Sequence, residues 1–170
     1  HRSGHSFPTR RSSDLFQNNP TILEQLLKAG AMAKLVDGQG CTCFHVSAAQ
    51  GTHLALEVLL KHDNSLSWAR NNACLTAFHL AALHGHPLCL AAIMNHCADT
   101  KGGSQGDYGL NATTKAGRTA LWLAASSGQA SCLATLVDRG ADVDAVDIDG
   151  RTPLLEIGRA SCRERVSTSV

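Results

Sequence analysis

Thr76-Ala-Phe-His-Leu-Ala-Ala-Leu-His-Gly85 sets the register of the chain, because its spacing of small, apolar and turn residues returns along the sequence. Thr42-Cys-Phe-His45 leads to Gly51 and Thr119-Ala-Leu-Trp122 to Gly128, each glycine nine residues after its threonine. Thr152-Pro-Leu-Leu155 opens a further unit, and the threonines step by 34, 43 and 33 residues. Such a period marks an array of stacked supersecondary units rather than one irregular domain. Gly30 lies ten residues before Gly40 and Gly140 ten before Gly150, so the same register holds near both ends.

Each unit reads as two short helices. The threonine caps the first helix with its hydroxyl; Gly51, Gly85 and Gly128 end it, where a left-handed cap needs no side chain. Ala48, Ala82 and Ala125 are small where two antiparallel helices approach. The second helices are predicted over His53–Lys61, Pro87–Asn95 and Ala130–Arg139, with Pro87 suited to a first turn. Leu56, Leu59 and Leu60, then Leu90 and Ile93, then Leu133, Leu136 and Val137 form apolar stripes at helical spacing. Ahead of them, Ile22, Leu23, Leu26 and Leu27 form a similar stripe ending at Gly30. Turns between units are read at Asp37-Gly-Gln-Gly40, Asn71-Asn-Ala-Cys74 and Asp147-Ile-Asp-Gly150. Cys74 stands where the other turns have glycine, which predicts a strained or shifted turn. The 43-residue step carries about ten extra residues, 101–110, glycine-rich and polar, read as an enlarged loop.

A threonine-led, 33-residue period with a T-x-x-H-x-A core resembles the ankyrin repeat family, over about residues 21–155. The resemblance implies an all-α solenoid of helix-turn-helix units with projecting β-turns, here a fragment of a longer array. The units divide as a partial one at 16–37, three at about 38–70, 71–113 and 114–146, and a partial one at 147–155. It also implies a structural role for His45 and His79, whose rings would tie one unit to the next. A helix pair of this size cannot bury its stripe alone, so the outer units are expected to leave apolar faces uncovered and the domain to be marginal and prone to association.

The ends have a different origin. Residues 1–15 and 156–170 can be back-translated so that each is the reverse complement of the other: Asp14 as GAT gives ATC, which is Ile157, and Phe7 as TTC gives GAA, which is Glu164. A DNA fragment carrying one oligonucleotide at both ends produces this pairing, and His5-Ser-Phe-Pro-Thr-Arg-Arg-Ser-Ser-Asp-Leu15 resembles a translated sequencing adapter. Both tails are read as non-native and set aside. Without them, the 15 Lys and Arg fall to nine and the 14 Asp and Glu to eleven, a mildly acidic balance without the basic stripe of a nucleic-acid binder. No apolar run approaches a membrane span.

Chemistry-bearing groups are absorbed by the repeat. Cys41, Cys43 and His45 form C-x-C-x-H, a weak metal-binding alternative that lacks the second short pair of a structural zinc site. Cys89 and Cys132 both sit thirteen residues after a unit's threonine, a core slot where Ala55 stands in the first unit. Free thiols in such slots suit a reducing, cytoplasmic or nuclear compartment. Trp122 replaces the motif histidine, as a packing substitution or an aromatic anchor. Asp142, Asp144, Asp147 and Asp149 lack the glycine and closing glutamate of a calcium loop and are read as a solvated face. No P-loop, G-x-S-x-G or H-E-x-x-H occurs between the tails, so no catalytic residue and no cofactor is assigned.

What the resemblance implies functionally is a non-catalytic module that binds another protein, with no role for nucleic acid, membrane or small molecule. The concave surface would comprise Gln39, Cys41, Ala49 and Gln50; Asn72, Leu75, Leu83 and His84; Lys115, Arg118, Ser126 and Ser127; Asp149 and Arg151; and Tyr108 from the loop. Leu83, Tyr108 and Arg118 are the expected anchors. The alternative is a regulatory or scaffolding segment of a larger enzyme or channel.

Overall fold

The computed structural model describes residues 20–98 and 109–158. Its α-helices are α1 (Pro20–Lys28), α2 (Cys43–Gln50), α3 (His53–His62), α4 (Ala77–His84), α5 (Pro87–Ala98), α6 (Ala120–Ser126) and α7 (Ala130–Asp138). A further helix, α8, runs over 153–158, and a 3-10 turn, Asn64–Leu66, follows α3. The first helices stack α2 on α4 on α6, and the second helices stack α1 on α3 on α5 on α7. Each first helix also packs on its own second helix, which makes two helical layers with one continuous core between them.

The repeated sequence positions become repeated packing positions. Phe44, Phe78 and Leu121, two residues after each threonine, are buried, as are Ala48, Ala82 and Ala125 four residues further on. Ala55, Cys89 and Cys132 fill one slot of the second helices, and Leu59, Ile93 and Leu136 another. Full burial of such a leucine contributes about 1.5–3 kcal/mol, and the slots repeat through the stack.

Caps define the first helices. Thr76 Oγ1 accepts from the amide of His79 at 3.4 Å and Thr119 Oγ1 from that of Trp122 at 3.2 Å, each satisfying an orphan donor. Gly51 and Gly85 are left-handed C-caps at φ 76° and 79°. A Cβ at Gly51 would also collide with the His86 ring of the next unit, so two constraints coincide there. In the third unit the cap falls one residue earlier than expected, at Ser127, with Gly128 following at φ 69°.

The expected turns are present, with one addition. Asp37 Oδ1 accepts from the amides of Gln39 and Cys41. Asn71 Oδ1 accepts from Ala73 and Leu75, and Asp147 Oδ1 from Asp149 and Arg151. Thr114 Oγ1 does the same for Ala116 and Arg118, so Thr114-Lys-Ala-Gly117 is the third unit's turn. The left-handed residue of each turn is Gly40, Cys74, Gly117 or Gly150, with Cys74 at φ 58°; the expected strain at this turn is present. The loop read over 101–110 lies mostly outside the described residues. Leu110, its last residue, belongs instead to the core.

Candidate functional site

Neighbouring turns are held in register by backbone and side-chain bonds. The amide of Asn72 donates to Gln39 O at 3.1 Å, and that of Ile148 to Ala116 O at 3.1 Å. Between the second and third units, Lys115 Nζ donates to Asn72 O at 2.9 Å. The turn tips therefore form a ladder, and the first helices stack directly behind it.

Two buried histidines tie the ladder to the helices. The Thr42 amide donates to His45 Nδ1 at 3.1 Å, which places the ring proton on Nε2 for donation to Leu75 O at 3.0 Å. His79 repeats the arrangement, taking the Thr76 amide at 3.3 Å and reaching Ala112 O at 2.9 Å. Burial lowers both pKa values below the ordinary histidine value, against the raising effect of the accepting carbonyls. The ring is thus a neutral strut across each junction. A third histidine, His86, adds a tie that the sequence reading missed, from Nε2 to Ala49 O at 3.1 Å.

The third junction is built differently. Trp122 is 3% exposed, so the aromatic-anchor reading is corrected: its ring is buried, with the Arg118 guanidinium 4.1 Å above the ring centroid. Arg118 Nε stands 3.6 Å from Asp147 Oδ2, an ion pair across the junction whose two atoms have no hydrogen-bond partner among the described residues. The solvated-face reading is likewise corrected at Asp147, which is buried, whereas Asp142, Asp144 and Asp149 are exposed. The amides of Arg151 and then Asp149, with the nearby arginines, hold the Asp147 carboxyl below the usual range despite its burial.

The other residues expected to line the groove lie on the turns and in or beside the first helices. Gln39, Asn72, His84, Lys115, Ser127 and Asp149 are exposed, and Cys41, Ala49, Gln50, Leu75, Leu83, Ser126 and Arg151 are half-buried. Arg118, expected as a free anchor, is already engaged by Trp122 and Asp147. Tyr108 lies outside the described residues. Nothing in the single sequence marks Arg118 and Asp147 as partners; 29 positions apart, they meet only because the units stack in register.

The C-x-C-x-H residues do not converge. Both ring nitrogens of His45 are occupied, Cys43 Sγ faces Ala33 O at 3.4 Å, and Cys41 Sγ takes the Asn71 amide group at 3.5 Å. Among the described residues no cluster of three His, Cys, Asp or Glu side chains could hold a metal ion. Cys89 and Cys132 are buried; desolvation, and then the neighbouring Cys132, push the Cys89 thiol up to about 12. Among the described residues no helix is long and apolar enough to cross a membrane.

Stacked helix pairs, projecting turns and a threonine-led register define a class, and family comparison agrees: a model of ankyrin repeats (3 copies) matches residues 14–102 and one of a single ankyrin repeat matches 116–148. The chain belongs to the ankyrin repeat family. It is 36% identical over 136 residues, 78% of its length, to the nuclear factor NF-kappa-B p105 subunit of Gallus gallus. It is 41% identical over 81 residues, 47% of its length, to the B-cell lymphoma 3 protein of Homo sapiens, and 37% identical over 84 residues, 46% of its length, to NF-kappa-B inhibitor alpha of Mus musculus. The matched part spans only 13%, 16% and 26% of those proteins.

Proposed function

We propose that this chain is a non-catalytic protein-interaction module, cytoplasmic or nuclear, which binds a protein partner across its turn tips and the exposed ends of α2, α4 and α6. The observation that carries the reading is the ladder of turns, in which inter-unit bonds fix four tips in one row and leave Gln39, Asn72, Lys115 and Asp149 with exposed side chains. A surface ordered before binding loses little entropy on binding. Behind the tips, half-buried Leu83 supplies an apolar contact and exposed His84 a polar one.

The similarity to a protein named as an NF-kappa-B inhibitor, and to one named as an NF-kappa-B subunit, supports an NF-kappa-B subunit as the first partner to test. Calorimetric titration of such a subunit into the full chain is expected to show saturable binding. Leu83→Asp with His84→Ala should weaken it by roughly 10-fold or more, the scale of a central interface residue. Affinity unchanged by that pair, with the helical spectrum intact, would remove the proposed surface. A regulatory or scaffolding role within a larger protein uses the same surface and is compatible with the short span of the relatives that the chain matches.

A further inference from the structure

Three cations meet where the turns of the second and third units adjoin. Arg70 Nη1 donates to Thr113 O at 3.2 Å, and Lys115 Nζ donates to Asn72 O at 2.9 Å. The two bonds cross one junction in opposite directions, so both head groups lie at the same rung of the ladder. Arg118 joins them through Thr114, the residue between Thr113 and Lys115. Its amide donates to Thr114 Oγ1 at 3.3 Å, and the Thr114 amide donates to Arg118 O at 3.0 Å.

Little negative charge answers them. Among the described residues neither Arg70 nor Lys115 has an ion-pair partner, and Arg118 has only Asp147. That carboxylate is buried, with its Oδ1 taken by two amides of its own turn. The last turn differs, since Arg151 is matched by Asp149 at 3.4 Å. Burial first, and then the Arg70 charge, lower the His79 pKa against the raising effect of the Ala112 carbonyl, so the field of Arg70 reaches the junction.

We propose, resting on the reading of the turn tips as a partner surface, that this rung docks an acidic segment of a partner protein, its Asp or Glu carboxylates set against Arg70, Lys115 and Arg118. A guanidinium has five N–H donors and an ammonium three, and Arg70 and Lys115 each use one on the neighbouring turn. Arg118 is held on the Trp122 ring, so its position is set before a partner arrives. Cations fixed in this way lose little side-chain entropy on pairing. One exposed ion pair contributes little. Several carboxylates engaging the three cations together, through charge-assisted hydrogen bonds, give the rung its selectivity.

Fluorescence anisotropy of a labelled peptide of alternating Asp and Ala, titrated with the full chain, tests this beside a neutral peptide of alternating Asn and Ala. Saturable binding of the acidic probe alone is expected. It should weaken as salt rises from about 0.1 M to about 1 M, where the Debye length shrinks from about 10 Å to about 3 Å. Arg70→Gln with Lys115→Gln should weaken it by roughly 10-fold or more. Both side chains are exposed and each bonds one carbonyl, so the helical spectrum should be unchanged. Lys28→Gln with Lys61→Gln removes the same charge from exposed positions elsewhere and should leave binding as in the wild type. The six tail arginines are common to all these chains, so the difference between the two pairs reports the rung. Equal losses in the two pairs, no loss in either, or an acidic probe that does not bind overturns the proposal. An NF-kappa-B subunit bound through Leu83 and His84 beside an unbound acidic probe overturns the acidic docking and leaves the partner surface standing. A probe bound through Arg70 and Lys115 beside an unbound subunit supports the docking and removes only that first partner.

Discussion

The junctions on either side of α4 and the junction between α6 and the last turn solve one structural problem with opposite chemistry. His45 and His79 cross their junctions as neutral rings, accepting a threonine amide on one nitrogen and donating to the next unit's carbonyl from the other. Trp122 occupies the same slot without using its indole nitrogen, which has no partner among the described residues. There the link passes instead through Arg118, stacked on the indole face and paired with buried Asp147. The three inner units thus place a planar side chain at this slot, though not a particular bond. Where the bond is lost, a charge pair crosses the gap.

Truncation separates the two solutions most strongly. Trp122→Ala removes a buried ring and the surface on which Arg118 stacks, and is expected to cost about 3–5 kcal/mol. His79→Ala leaves the Thr76 amide and the Ala112 carbonyl without their partner, for about 2–6 kcal/mol at about 1–3 kcal/mol for each unsatisfied group. Trp122→Phe sharpens the contrast, because it keeps most of the ring and removes an unsatisfied N–H; it should change stability by no more than about 1 kcal/mol. Urea unfolding with a common slope measures all three. A Trp122→Phe cost equal to that of Trp122→Ala would show that the indole nitrogen has a partner after all.

Acid should open the histidine junctions first. Both rings have folded pKa values below 6.5, so the unfolded chain binds protons more readily than the folded one. Their contribution is complete above the unfolded pKa and is lost as pH falls through it, at no more than ~1.4 kcal/mol per pH unit for each histidine. Asp147, with its pKa lowered, keeps its contribution until pH drops through the carboxylate range near 3.8. The melting temperature is therefore expected to fall between pH 7 and 5, and His45→Gln with His79→Gln should flatten that fall. An unflattened profile would assign the acid sensitivity to other groups.

The salt response should divide the junctions more gently. Asp147→Asn keeps the turn, since Asn71 fills the same role in the second unit through Oδ1. It loses the charge that faces Arg151 and Arg118, and half-exposed arginines make such interactions weak. A melting temperature lower by a few degrees is expected, along with loss of part of the wild type's sensitivity to added salt. The histidine variants should respond to salt as the wild type does. Equal salt responses in wild type and Asp147→Asn would mean that the 3.6 Å pair contributes nothing across the gap.

What the sequence made legible follows from what repeats. Thr42, Thr76 and Thr119, the alanines four residues beyond Phe44 and Phe78, and the slot of Cys89 and Cys132 were readable because one physical constraint recurs at one spacing. The turn at Thr114 was missed because a threonine hydroxyl there does what Asp37, Asn71 and Asp147 do with side-chain oxygens of another residue type. Trp122 was left between packing and an anchor, and Asp147 was misread, for the complementary reason. Their burial arises from contact between units, which spacing within a unit does not express. Leu110 was assigned to a loop by its glycine-rich neighbours, yet it is buried in the core. The expected groove residues rest on register and resemblance alone, and the engagement of Arg118 required the stacked geometry.

The smallest effect concerns the turn at the second unit, where one residue carries strain that its three counterparts avoid. Cys74 sits at φ 58°, a left-handed conformation that Gly40, Gly117 and Gly150 adopt freely. An L-residue there costs roughly 1–2 kcal/mol, partly offset because glycine gives the unfolded chain about 0.5–1 kcal/mol of extra freedom. Cys74→Gly should therefore stabilise the chain by about 0.5 kcal/mol, seen as a small rise in urea midpoint with an unchanged slope. Cys74→Ala keeps the Cβ and the strain and should show no gain. If both variants lose stability equally, the Cys74 side chain contributes contacts worth more than the strain, and this turn would differ from the other three in what holds it and not merely in its residue.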